Sequence, residues 1–326
     1  MIAPPQAPPR TGLRRRLPVR LPARRTRPAA PPPRPPLSLW FLAPIWTMAS
    51  LSALTVWFLA YAFGISGLQE ARSQHELYGV LRSQLAQEIA PPFQGVQSGH
   101  SPSDNFALGT PLALLRVPRA GIDDVVLAGT TSGVLEQGPG LWRDTPLPGQ
   151  PGVSVILGRQ SMFGAPFRHL TALRQGDLIK ITTGQGTFTY VVSDVRYPGD
   201  PLPPPLAAGQ SDLILATATA AGPGWRSAWA PNTMLYVDAT LRGKTVAYPG
   251  GLPAVLPASE SPMHGDTSVL LPLILWLQLL LVTVVAVVWA ATRWGRWQTW
   301  LVGIPAILAV LWVVSDTAFQ VLPNLL

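Results

Sequence analysis

The side chains best suited to covalent chemistry gather near the end of one apolar run, Leu213-Ile-Leu-Ala-Thr-Ala-Thr219. Thr217 and Thr219 carry hydroxyls, Ser161 follows the turn Gly158-Arg159-Gln160, and His169 stands ten residues beyond Arg159. A serine or threonine becomes a nucleophile only beside a base that takes its proton. In a strand, Thr217 and Thr219 point away from the face that carries Ala218, so they are expected to miss a site on that face. Ala218 holds the place of a nucleophile at the rim of the run, and a methyl group performs no covalent step. The chain has no cysteine to stand in for it. His169 reads as a solvent-facing residue on a one-turn helix. His75, His100 and His264 fall in an expected stalk and linkers and form no metal-binding cluster. Walker and dinucleotide glycine signatures are absent, so neither a metal nor a cofactor is expected.

These residues need a scaffold, and the composition says where it sits. Hydrophobic residues make up 48% of the 326 positions and charged residues 12%, a balance unusual for a soluble chain. The net charge of +8 belongs to a tail: nine arginines precede the first acid, Glu70, and the remainder holds 15 basic against 16 acidic residues. Prolines interrupt that tail (1–36) throughout, so it is expected to stay extended and disordered. It abuts a long apolar run, which favours a membrane over nucleic acid as its partner. Leu37–Leu68 is uncharged and too long for a cleaved signal; it is read as a transmembrane helix. Further spans are expected over 267–292 and 297–322, each above the roughly 20 apolar residues a crossing requires. Arg293 and Arg296 in the tight loop between them place that loop in the cytoplasm. The expected topology is therefore a multi-pass plasma-membrane protein with a cytoplasmic N-terminus, an extracytoplasmic domain and an extracytoplasmic C-terminus. Asp316 is read as an interfacial residue, with a buried partner as the alternative. No GxxxG-like packing is evident in the hairpin, since Gly295 and Gly303 stand eight apart.

Residues 69–106 read as a helical stalk and linker, with apolar positions Leu77, Val80, Leu81, Leu85 and Ile89 stopped by Pro91 and Pro92. Residues 245–266 read as a Pro/Gly-rich linker. Between them, 107–244 shows short β-type runs separated by turn signals: Leu112–Val117, Val125–Leu127, Ser154–Leu157, Leu178–Thr182, Thr187–Val195, Leu213–Ala218 and Met234–Thr240. Gly184-Gln-Gly186 marks a hairpin. Seven or eight such strands predict a closed all-β barrel.

The turns between those runs form an ordered series. Leu115-Arg-Val-Pro118 leads to Val125-Val-Leu-Ala-Gly129, Leu135-Glu-Gln-Gly-Pro-Gly-Leu-Trp142, Thr145-Pro-Leu-Pro-Gly149 and Gly152-Val-Ser-Val-Ile-Leu-Gly158. Phe167-Arg-His-Leu170, Leu173-Arg-Gln-Gly-Asp177 and Tyr190-Val-Val192 follow. This series resembles the sortase family, in particular the class E-like, housekeeping-type sortases of high-GC Gram-positive bacteria. The resemblance implies an eight-stranded β-barrel at the outer membrane face and a Cys–His–Arg transpeptidase. Where the family has its histidine, cysteine and arginine, this chain has Arg159, Ala218 and Met234. A guanidinium stays protonated and cannot serve as the base, and a thioether donates nothing to an oxyanion.

The resulting expectation is a catalytically inactive sortase homologue that binds or scaffolds sorting-signal peptides, surface proteins or an active sortase. An active transpeptidase that anchors surface proteins to the cell wall and a purely structural ectodomain are the alternatives. The loop Pro198–Leu206 would line the implied peptide cleft, its prolines lowering the entropy lost on binding. Trp225 and Trp229 capture peptide, cover the barrel end, or touch headgroups. Candidate peptide contacts are thus Arg159, Pro203, Pro204, Thr217, Ala218, Trp225 and Trp229.

Overall fold

The computed structural model describes residues 39–87, 107–219, 233–247, 256–294 and 296–325. The basic tail lies outside them, as do Ile89, Pro91 and Pro92. The chain forms two compact units, 1–50 and 51–326. In the first, α1 (Leu39–Ala60) begins, and the Thr47 hydroxyl donates to the carbonyl of Pro44 at 2.9 Å. In the second, one π turn (Tyr61–Ile65) leads into α2 (Ser66–Ala86) with helical dihedrals at both junctions.

Eight strands then close a barrel: β1 (Pro111–Val117), β2 (Ile122–Ala128), β3 (Gly140–Leu141), β4 (Gly152–Leu157), β5 (Leu178–Thr183), β6 (Gly186–Arg196), β7 (Ser211–Thr219) and β8 (Thr233–Leu241). Their spatial order is β1-β2-β3-β4-β7-β8-β6-β5, and β5 pairs back onto β1. Pairing is antiparallel except for β2 with β3 and β4 with β7. The expected hairpin forms, with a two-residue loop where Thr183 pairs with Gly186. Alternate residues fill the interior: Leu115, Val117, Ile156, Ile181, Tyr190, Leu213, Leu215 and Val237 are each buried within one cluster. Full burial of an aliphatic side chain of this kind contributes about 1.5–3 kcal/mol, so this interior is the main source of cohesion. A one-turn helix α3 (Ser132–Leu135) lies between β2 and β3.

Two stretches read as stalk and linker pack against the barrel. α2 does not stand free as a stalk: Leu81 packs with Leu114, Val125, Leu127 and Val134, flanked by Leu77 and Leu85. Gln74 fixes the register, donating to the carbonyls of Gln137 (2.7 Å) and Val125 (3.2 Å) and accepting from the Val125 amide (2.7 Å). Val80, placed on the same stripe by spacing alone, is 44% exposed. The second stretch is the Pro/Gly-rich linker. Its described part, 256–266, carries a fully buried Glu260 that pairs with Arg143, while the Thr130 hydroxyl donates to the Glu260 carbonyl at 2.5 Å.

α4 (Leu270–Arg293) and α5 (Arg296–Val321) follow. Among the described residues, three helical segments are long and apolar enough to cross a membrane: Thr47–Ala86, Thr267–Arg293 and Trp297–Val321. Without a GxxxG stripe, α4 and α5 still approach closely at one point. A Cβ on Gly303 would lie 2.7 Å from Cγ1 of Val287. Asp316 is more than an interfacial charge: one carboxylate oxygen accepts from the Tyr61 hydroxyl and from Nε2 of Gln69, each at 2.9 Å.

Candidate functional site

Strand register brings the three positions Arg159, Ala218 and Met234 into a row. β4 runs parallel to β7 with Leu157 opposite Ala216, and the Gly158 amide then donates to the Ala216 carbonyl at 3.1 Å. Continuing that register sets Arg159 level with Ala218. On the other side, β8 places Met234 opposite Ala218. Because Leu213 and Leu215 face the interior, strand alternation turns Ala216 and Ala218 to the outside of the barrel. Thr217 has the opposite direction, as its spacing predicts. It is fully buried, and its hydroxyl donates to the Gly158 carbonyl at 2.7 Å, closing the β4–β7 junction. That bond gives Thr217 a structural task.

The outer face at Ala218 is closed. Ala218 is fully buried in a cluster with Leu135, Leu157, Ala216 and Leu325, and Met234 and Met263 pack against it. Arg159 is also fully buried. Its Nη2 donates to Oγ of Ser132 (2.8 Å) and to the Ser132 carbonyl (3.2 Å) and lies 3.6 Å from Glu136, while its Cζ stands 4.7 Å from the Phe163 ring centre. Burial lowers Arg159 to about 10, opposed by the charge of Glu136, so the guanidinium stays protonated at neutral pH. Burial likewise raises the Glu136 carboxyl, and Arg159 opposes that rise.

The loop after Arg159 is held in strained backbone. Met162, Phe163 and Ala165 have φ of 63°, 43° and 48°, a region costly for residues that carry a Cβ. Phe163 offsets that cost by packing among Tyr61 and Phe319, with ring centres 6.5 and 5.6 Å away, and its amide donates to Ser66 Oγ at 3.1 Å. Gly158 is required at the loop's start, since a Cβ there would meet the Phe167 ring at 2.6 Å. α5 adds Gln320, which donates to Glu136 at 3.3 Å.

The other expected contacts lie elsewhere. Pro203 and Pro204 border a cavity of about 430 Å³ over the beginning of β7, with Asp212, Ile214 and the Arg196–Asp238 ion pair in its wall. Ile214 and Ala218 are four residues apart on one strand face, roughly 13 Å. Trp225 and Trp229 lie outside the described residues. His169 caps a one-turn 3₁₀ helix, Leu170–Ala172, and is exposed. Among the described residues there is no group of His, Asp or Glu side chains arranged to hold a metal. Sequence reasoning missed Ser132, Glu136, Arg143, Glu260, Asn324 and Leu325. Only Glu136 gave a signal, as a lone acid inside the ordered turn Leu135–Trp142.

Residues 115–217 match the family model of the sortase domain. Among solved structures, sortase E from Streptomyces avermitilis is 28% identical, covers 48% of this chain and 100% of its own, and has a TM-score of 0.35. The Clostridium perfringens sortase D5 transpeptidase is 21% identical, covering 53% of this chain and 99% of its own at a TM-score of 0.40. The Actinomyces oris sortase SrtA is 22% identical, covering 45% and 88% at a TM-score of 0.38. No curated protein matches. The matched segment runs from within β1 into β7, ending at Thr217, and takes in most of the ordered turns; over that segment the β-barrel of this chain matches the sortase domain.

Proposed function

We propose that this chain is a membrane-anchored sortase homologue that performs no transpeptidation and acts as a binding or scaffolding protein at the cell surface. One observation carries the reading. The family's nucleophile position, at the end of β7, is Ala218 in a chain with no cysteine, and it is fully buried. Its neighbours in register supply no replacement. Arg159 is tied to Ser132 and Glu136, and Met234 offers no donor. The partners that fit are sorting-signal peptides, surface proteins or an active sortase. The arginine-rich tail and the Arg293/Arg296 loop support a cytoplasmic N-terminus and an extracytoplasmic barrel. A second reading, a structural ectodomain of a membrane complex, draws support from the bonds that Tyr61, Gln69 and Asp316 make beside the barrel.

The test is incubation of the full chain, in detergent micelles, with a sorting-signal peptide and a glycine nucleophile. The expected result is no cleavage over the uncatalysed background. Turnover above that background would overturn the proposal.

A further inference from the structure

The closed face at Ala218 is covered by the chain itself. α5 ends at Val321, where Pro323 cannot continue a helix, and the next residues turn back onto the barrel. Leu325 is fully buried against Ala218, Ala216, Leu157 and Leu135. Asn324, also fully buried, donates through Nδ2 to the carbonyls of Thr130 (2.7 Å) and Ser261 (3.0 Å), and its amide donates to the His264 carbonyl at 3.0 Å. A second clip joins the two ends of the α4–α5 hairpin, where the Asp266 amide donates to the Gln320 carbonyl at 2.9 Å.

This arrangement has the form of a ligand in a cleft. The acceptors are backbone carbonyls on two loops, so they read a side-chain amide and a main-chain amide rather than a charge. The apolar floor is shaped by the small side chains of Ala216 and Ala218, which leave room for one leucine. The cluster around Leu325 is separate from the barrel interior, so emptying it leaves the interior packed. One acceptor is also left over: Oδ1 of Asn324 is buried and has no hydrogen-bond partner among the described residues. A buried acceptor without a partner is costly, which weakens the hold of the segment on the cleft.

We infer that the outer face of β7 at Ala218 is a peptide cleft that the chain fills with its own segment Leu322–Leu325, and that a short peptide presenting asparagine followed by an apolar residue displaces it. The inference rests on the binding role proposed above and names the ligand class for the same site. The chain is then a self-occupied binder, open to a partner once the segment lifts.

The lack of native cysteine gives a clean test. In the full chain in micelles, Ala218→Cys is the only thiol, and its rate of maleimide labelling reports the cover. The rate is compared with and without the added changes Asn324→Ala and Leu325→Ala. Leu215→Cys in the barrel interior, carried in the same two backgrounds, corrects for general unfolding. The expected result is a rise of about tenfold or more at position 218 on releasing the segment, as for a site exposed by a local opening. A capped peptide with the sequence of residues 321–325 should then slow the labelling again, and the same peptide with alanine in place of asparagine should not. An unchanged rate on release overturns self-occupancy. Fast labelling that neither peptide slows, or that both slow equally, overturns the ligand class. Cleavage activity in the transpeptidation assay would instead remove the non-catalytic reading, and the labelling result would stand.

Discussion

The outer face of β7 is built in two contrasting ways along one strand. Near its beginning, Asp212 and Ile214 border an open cavity of about 430 Å³ beneath the proline loop. Near its end, Ala216 and Ala218 are sealed under Leu135, Leu157 and Leu325. Both ends have a buried ion pair close by: Arg196–Asp238 in the cavity wall, and Arg143–Glu260 in the loop that helps hold the covering segment. One backbone thus supports two kinds of surface, and the difference comes from the segments laid over it. Residues 256–266 and 322–325 cover the far end, while the prolines of 203–205 arch over the near one and leave it open.

The largest effect that would sharpen this contrast is loss of an arginine. Arg143→Ala leaves Glu260, whose side chain is 0% exposed, buried without its cation; the expected destabilisation is about 3–5 kcal/mol. Arg196→Ala leaves Asp238 beside a cavity that water can enter, and about 1.5–3 kcal/mol is expected. Denaturant unfolding of the full chain in micelles measures both, and equal losses would break the comparison.

Enlarging a side chain probes the same contrast more gently. Ala218→Leu must push Leu325 or its neighbours aside and should cost about 1–3 kcal/mol. Ile214→Phe can extend toward open space and should cost less than about 1.5 kcal/mol. The informative readout is the order of the two, since a larger loss at Ile214 would mean that the near end is the filled one.

The smallest effect is electrostatic. Burial raises the Asp212 carboxyl above its ordinary 3.8, with Asp238 adding to the rise and a hydrogen bond from Thr240 opposing it. A carboxyl raised in the folded state gives stability that is fully present below the unfolded value and lost as pH climbs through the native one. Asp212→Asn should therefore flatten the fall in thermal midpoint as pH rises above 3.8. An unchanged slope would show that Asp212 is as well solvated as an unfolded carboxyl.

The barrel was legible in the sequence wherever a strand alternates over several residues. All seven expected runs lie within observed strands, and their ends differ by no more than three residues. The missing eighth, Gly140–Leu141, pairs through only two residues on each side and has no periodicity to read. The row Arg159–Ala218–Met234 could be assembled only through the resemblance, because its members are brought level by pairing between strands far apart in the chain. What covers the row was not legible at all. Glu260 and Arg143 are 117 residues apart, and Asn324 and Thr130 are 194 apart; no local pattern joins them. The α2 stripe was half legible: Leu77, Leu81 and Leu85 share a face with four-residue spacing, and spacing alone could not tell that Val80 points away. Proline and glycine made residues 245–266 look like a tether, although one acid within them is among the most buried in the chain.

The seating of α2 on the barrel wall also fixes a height. Gln74 and Leu85 follow Ser66 by eight and 19 residues, so at 1.5 Å per residue the wall is fastened between about 12 and 29 Å along the helix axis from Ser66. An anchor of this kind works as a ruler. The barrel is held directly against this helix rather than hung from a flexible tether. For the membrane-anchored binder proposed above, reach as much as affinity would then select which neighbours it can hold.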